Sequence, residues 1–221
     1  MLKPKRKITK KEIKRDPFLE TIDKLENNFE KNKKTFLNIV LVLIAGIFII
    51  NFFLKKQDQK NIDSNSALGV AMVAFENKDY ENAKFQFENI ILDFNGTYAS
   101  SFANFYLGRI HFENNEFAKS ESFLNTFMNS SDSEILYFGA VKMLTHIALQ
   151  NSHYDKAIKL LDNGTKKVSK NDSIELKLIK TLVLKDQGKT DTAKRLLDKI
   201  ISGKKLPQHL KNKSEELIGM M

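Results

Sequence analysis

The stretch ENKDYENAKFQFENIILDF, residues 76–94, decides the fold because related versions of it return at a fixed interval. Thirty-seven residues on, the chain reads ENNEFAKSESFLNTFMNS, and after another thirty-seven it reads QNSHYDKAIKLLDNGTKK. An aromatic residue keeps its place in all three versions: Tyr80, Phe117 and Tyr154. A small residue follows three positions later, and a fourth copy continues this series 36 residues on: Ala83, Ser120, Ala157 and Ala193.

Each copy has two further matched positions. Four residues after the small residue comes a large apolar one: Phe87, Leu124, Leu161 and Leu197. Twelve residues before it lies a second small residue: Ala71, Gly108, Thr145 and Thr181. A polar break rich in turn formers separates the two small positions, so each copy predicts an antiparallel helix pair whose backbones approach closely. Because one such pair cannot bury its own apolar face, the copies are expected to stack as a solenoid.

The spacing therefore predicts an all-α fold. We expect about four helix hairpins within residues 64–221, with KLPQHLKNKSEELIGMM as a cap helix at the end. A coiled coil is the alternative, but no heptad run survives the polar breaks and the glycines between and within the copies.

The copies resemble the tetratricopeptide repeat, most closely in the segment FYLGRIHFENNEFAKSESFL. That repeat carries a small residue, then Tyr or Phe, then Ala and a bulky apolar residue in this order, and the resemblance covers about residues 64–203. The fourth copy departs from it, with Thr190 in the aromatic position. The resemblance implies a domain that binds other proteins.

A membrane helix is predicted before the repeats. FLNIVLVLIAGIFIINFFL, residues 36–54, has no charged side chain and would extend about 28 Å as a helix, close to the roughly 30 Å of a bilayer core. A buried core helix is the alternative. A cleaved signal peptide is disfavoured because the residues preceding the apolar run are too many and no small-residue cleavage site follows closely. We expect a retained signal anchor, followed by a linker over 55–63.

Charge is concentrated before the predicted span. Residues 1–34 hold twelve Lys/Arg and six Asp/Glu, whereas residues 61–221 hold 21 and 20, so the basic arm carries most of the net charge of +9. Within residues 1–35, Phe18, Leu19, Ile22, Leu25 and Phe29 follow a helical spacing that predicts an amphipathic helix. The basic flank favours a cytoplasmic N-terminus, with the arm on anionic lipid and the repeats on the periplasmic side of a bacterial inner membrane.

One span followed by four degenerate repeats also resembles the YfgM-like ancillary subunits of the SecYEG translocon. That resemblance implies, as partners, translocon subunits, periplasmic chaperones and nascent envelope proteins. Two alternatives stay open: a cytoplasm-facing adaptor that recruits soluble partners to the membrane, and an envelope or cell-division coordinator of the periplasmic repeat type. A nucleic-acid tether in the basic arm is not expected beside a membrane span.

The sequence shows no pattern for catalysis. It contains no Cys, which excludes thiolate chemistry and disulfides, and its four His have no carboxylate or His at metal-ligand spacing on a helix. No glycine-rich phosphate loop appears, and NGT at 95–97 and 163–165 predicts turns. We therefore expect no enzyme, no cofactor, no metal and no small-molecule substrate.

The expected binding surface is a groove lined by the first helix of each pair. Eight residues are predicted to project toward it: Met72, Phe75, Phe105, Arg109, Phe112, Lys142, His146 and Lys185. The alternative for each Phe is a place in the core between repeats. If the groove binds an extended or helical peptide, Arg109 and Lys142 would engage its acidic groups.

Overall fold

The computed structural model describes residues 21–22, 30–131, 133–203 and 206–221. Over these residues the regular structure is helical and contains no strand, which confirms the all-α prediction. Nine helices have defined bounds within the described ranges: α1 Lys33–Glu76, α2 Tyr80–Asp93, α3 Tyr98–Glu113, α4 Phe117–Ser130, α5 Glu134–Gln150, α6 Tyr154–Gly164, α7 Lys170–Asp186, α8 Thr190–Ile201 and α9 Gln208–Gly219.

Four hairpins and one final helix make up the compact unit Asp58–Met221. The hairpins are the last part of α1 with α2, then α3 with α4, α5 with α6 and α7 with α8, while α9 packs against α7 and α8. Each second helix begins at the position that the sequence marks by an aromatic residue or its replacement: Tyr80, Phe117, Tyr154 and Thr190. The four hairpins and the cap helix are therefore confirmed.

The turn inside each hairpin has the same backbone geometry. Two residues before the second helix, one residue adopts a positive φ: Lys78 at 62°, Asn115 at 58°, Ser152 at 56° and Gly188 at 81°. The next N–H donates to the carbonyl five residues earlier, as from Glu116 to His111 at 2.8 Å. This is the Schellman arrangement that satisfies the last carbonyls of a helix. The repeated polar breaks in the sequence therefore encode one repeated turn.

The matched small and large positions form the core of the hairpins. All four large apolar residues and all eight small ones are buried. At the second hairpin, a Cβ on Gly108 would lie only 2.7 Å from Cγ and Cδ2 of Leu124, and the hydroxyl of Ser120 donates to the Gly108 carbonyl at 2.8 Å. Small residues are therefore required where the two helices cross.

The unit Met1–Gln57 contains the predicted span, which lies within α1. One window of this helix is long and apolar enough to cross a bilayer, and none of that window is buried by protein. The Asn51 amide is one of the two polar side chains within residues 36–54, and it donates to the Ile47 carbonyl at 3.0 Å. Most of the arm and of the predicted amphipathic helix lies outside the described residues. Residues 55–63, predicted as a linker, are helical, since they contain neither Gly nor Pro.

Candidate protein-binding surface

The eight predicted groove residues separate by burial. Phe75 and Phe105 are buried in the core, which agrees with the alternative considered for each Phe and leaves them no surface for a partner. The others remain at least partly accessible: Met72, Phe112 and Lys185 are half-buried, and Arg109, Lys142 and His146 are exposed. Four of these accessible residues come from neighbouring first helices and define what we call the first-helix surface: Arg109 and Phe112 on α3, and Lys142 and His146 on α5.

Arg109 joins the surface to the core beneath it. Its guanidinium carbon lies 5.1 Å from the ring centroid of Phe75, and its Nε donates to Glu113 at 2.9 Å. Phe75 is fixed in turn by edge contacts with other aromatic rings of the first hairpin and of α3. The aromatic face and the carboxylate hold the guanidinium at a defined place while leaving much of it in solvent.

An aromatic group forms the centre of the first-helix surface. Phe112 lies 5.3 Å from the His146 ring and 5.8 Å from the Phe117 ring, measured between centroids. His146 is also 3.2 Å from the Gln150 amide nitrogen. Since Phe112 and Phe117 are only half-buried, they offer apolar area beside the exposed imidazole. Partly buried aromatic side chains of this kind are typical anchors of protein interfaces.

A charge bridge connects three helices at the other edge of the surface. Glu175 on α7 lies 3.4 Å from Lys142 on α5 and 3.3 Å from Lys213 on α9, and the Lys142 ammonium lies 4.9 Å from the Phe138 ring centroid. Burial alone would raise the pKa of the Glu175 carboxyl, but Lys213 and Lys142 outweigh it, so the pKa falls below its usual value. Glu175 therefore stays ionised and holds both lysines.

A further pair joins the buried His111 to the partly exposed Glu116. The His111 Nδ1 is 2.7 Å from a Glu116 carboxylate oxygen, and the imidazole stacks on Phe123 with 5.4 Å between centroids. Hydrogen bonds from Lys119 and His111 lower the pKa of Glu116. Sequence reasoning missed this pair because the spacing is five residues and only the turn brings the two groups together. It ties the end of α3 to the start of α4.

The side chains of the first-helix surface are suited to binding another molecule. Its exposed cations already have carboxylate neighbours, and its aromatic residues are open on one side. Over the described part of the chain, no group of three His, Asp or Glu side chains is placed to hold a metal ion. The residues predicted for the groove include the two cations and Phe112 of this surface but not Glu175 and Lys213. Only the partner Glu113 could have been inferred, because it stands four residues after Arg109 on one helix.

Comparison with known proteins agrees with the repeat geometry. A family described as tetratricopeptide repeat-like domain matches residues 27–205, which is more than half of the 221 residues. A search of curated proteins finds no match. Folds of this family are protein-interaction modules and typically have no catalytic role. On the repeated helix hairpins and this match, the chain belongs to the tetratricopeptide repeat-like family.

Proposed function

We propose that this chain is a membrane-anchored adaptor whose first-helix surface binds an acidic and apolar segment of another protein. The observation that carries the proposal is the exposed cations Arg109 and Lys142 on α3 and α5, which lie with the half-buried Phe112 and the exposed His146 next to the Glu175 bridge. Surfaces that combine aromatic anchors with Arg at their centre are those on which a few residues supply most of the binding free energy.

The internal ion pairs do not block such binding. Arg109 and Lys142 each keep 45% of the side chain accessible, so solvent weakens their ion pairs with Glu113 and Glu175 although both cations have defined positions. Exposed ion pairs of this kind contribute between zero and about 1 kcal/mol. A carboxylate from a partner can therefore replace Glu113 or share Lys142 at small cost, while apolar partner side chains cover Phe112 and Phe117.

The apolar part of α1 supplies the anchor in this proposal. Support comes from its length and hydropathy, from the absence of any protein cover over it, and from the basic residues that precede it. These residues favour a cytoplasmic N-terminus and a periplasmic repeat domain in a bacterial inner membrane. Anchoring raises the effective concentration of the surface near membrane partners, so each individual contact can be weak.

The partner class follows from the same proposal. Resemblance to YfgM-like ancillary subunits supports translocon subunits, periplasmic chaperones and nascent envelope proteins as partners. The rival function is a cytoplasm-facing adaptor. A further alternative is an envelope or cell-division coordinator, whose repeat domain would be periplasmic as in the main proposal.

Reversing two cations of the surface tests the proposal. Arg109→Glu combined with Lys142→Glu is expected to reduce recovery of co-purifying proteins from native membranes at least tenfold, about 1.4 kcal/mol, because like charges then face the partner acids. The matched control is Lys84→Glu with Lys119→Glu, which reverses two ion-paired lysines on second helices. The control should keep its partners, and both variants should keep their helical circular dichroism.

The same purification distinguishes the orientations. Translocon or periplasmic folding proteins recovered with the unaltered chain support the periplasmic placement, whereas recovery of cytoplasmic proteins alone supports the rival. If the double reversal at Arg109 and Lys142 recovers the same proteins in the same yield as the unaltered chain, the first-helix surface is not the binding site.

A further inference from the structure

A second candidate site lies at different helix ends, away from the first-helix surface. A cleft of about 520 Å³ opens between the start of α3, the end of α4 and the start of α5. Of the eleven described residues that line it, eight carry a hydroxyl, two carry a carboxamide, one is Gly96, and none is charged. We call it the hydroxyl cleft. Its volume lies within the range of about 300–1,000 Å³ that is usual for small-ligand sites.

Buried polar side chains are concentrated at this cleft. Of the eleven buried polar residues in the described part of the chain, five line it: Thr97, Ser100, Ser101, Asn104 and Ser131. Burying a hydroxyl or amide is unfavourable unless the group finds a hydrogen-bond partner. Most of these five find a partner, since Thr97 donates to the Phe94 carbonyl at 2.8 Å and the Ser101 and Ser130 hydroxyls lie 3.0 Å apart. The polar atoms that find none therefore need a separate explanation.

Two polar atoms at the cleft have no partner among the described residues. Ser100 is 4% exposed, and its hydroxyl makes no hydrogen bond, although its backbone N–H is capped by Thr97. Asn104 donates through its amide nitrogen to the Ser100 carbonyl at 2.8 Å, which leaves its own amide oxygen as an unused acceptor. Both residues line the cleft, and neither atom is completely enclosed by protein. They offer one hydroxyl and one acceptor to a bound molecule.

An exposed aromatic ring adjoins these groups. Tyr98 is 61% exposed, and its ring lies 4.1 Å from that of Phe102 between centroids. The ring contact limits its motion, while the exposed part of the ring is accessible to a ligand. A flat aromatic face beside hydroxyl and amide groups matches a molecule that has both C–H faces and many hydroxyls.

We propose that the hydroxyl cleft binds a neutral saccharide, a function separate from the protein contacts of the first-helix surface. Neutral hydroxyls of the ligand complement Ser100, Asn104 and the free N–H groups at the starts of α3 and α5, while one sugar ring covers Tyr98. An anion is disfavoured because none of the described lining residues is a cation and Glu134 occupies the first turn of α5. Asp132, between two lining residues in the sequence, lies outside the described residues, and the site does not include it.

Saturation-transfer NMR on the full chain tests this proposal. The protein is held in lauryldimethylamine oxide micelles, which have no sugar headgroup, and is titrated with maltotriose and with triacetylchitotriose. At least one of the two is expected to bind. Ser100→Ala, which removes the unpartnered hydroxyl, and Tyr98→Ala, which removes the ring, should each weaken that binding at least fivefold. Ser122→Ala and Phe85→Ala, exposed and outside the cleft, are the matched controls and should leave it unchanged.

Three results would overturn the saccharide site. One is no transfer to either sugar at millimolar concentration; another is equal binding by all four variants, which would place the sugar elsewhere. The third is binding of a neutral Gly-Ser hexapeptide in place of both sugars, which would make the cleft a peptide site. Circular dichroism of Ser100→Ala controls for folding, and Tyr98→Ala alters only an exposed side chain.

Discussion

Phe87→Ala is expected to lower the free energy of unfolding of the repeats by about 3–5 kcal/mol, the usual loss when a large aromatic side chain is removed from a core. Phe87 is 0% exposed. Its ring stacks on Tyr106 at 5.4 Å and meets Phe75 edge-on at 6.4 Å, so it joins three helices of the first two hairpins. Alanine would leave a cavity among rings that are held by one another and cannot collapse freely. Denaturant unfolding followed by circular dichroism measures the loss.

The matched control stands two residues earlier on α2. Phe85 is 63% exposed, so Phe85→Ala should change the free energy of unfolding by no more than about 0.5 kcal/mol. Equal losses from the two variants would contradict the assignment of Phe87 to the repeat core. Each hairpin contacts mainly its neighbours, so Phe87→Ala should destabilise the first hairpins more than the later ones. The unfolding transition should therefore begin at a lower denaturant concentration.

Gly108→Ala is expected to destabilise the second hairpin by about 1–3 kcal/mol, in spite of a gain in helix propensity of roughly 1 kcal/mol. The new Cβ would lie 2.7 Å from two carbons of the Leu124 side chain and 3.3 Å from its backbone nitrogen. The side chain cannot absorb the overlap alone, so α3 and α4 must move apart. Thermal unfolding of the full chain in micelles measures the sign and size of this change in stability.

Gly69→Ala is the control for helix propensity. Gly69 lies inside α1 within the repeat unit, and a Cβ there would meet no atom within 4 Å. Alanine should therefore stabilise the protein by about 0.5–1 kcal/mol. Alanine substitution at these two helical glycines would then change the free energy of unfolding in opposite directions. Stabilisation by Gly108→Ala would show that the helices do not cross at that residue.

The architecture was predictable because the same pattern of turn-forming, small and large apolar residues occurs four times, and each occurrence predicts the same helix hairpin. The polar breaks predicted the turns, and the structure places the aromatic position of each copy, or Thr190 in the fourth, at the first residue of the second helix. The small and large positions predicted the packed core from each copy alone, without reference to the segments that pack against it. The turn predicted at NGT 95–97 is confirmed, with Thr97 as the cap of α3, whereas the turn predicted at 163–165 is wrong for Asn163 and Gly164, which belong to α6.

The surfaces were less predictable because they depend on residues distant in the sequence. Helical spacing places Phe105 on the same face of α3 as Arg109, and only the packing of neighbouring rings shows that Phe105 and Phe75 are both buried. Glu175 meets Lys142 across 33 residues and Lys213 across 38, a relation that no spacing reveals. The hydroxyl cleft likewise combines three helix ends. Its Ser and Thr residues indicate only caps and turns when they are considered one segment at a time.

Photo-crosslinking from defined positions in native membranes tests the adaptor account most directly. A benzophenone amino acid would replace His146 on the first-helix surface, and in a separate protein Leu92 on α2, which is 79% exposed. The account predicts crosslinks to one or a few proteins from position 146 and none of these from position 92. Partner capture at 92 but not at 146, or the same products at both, would contradict it.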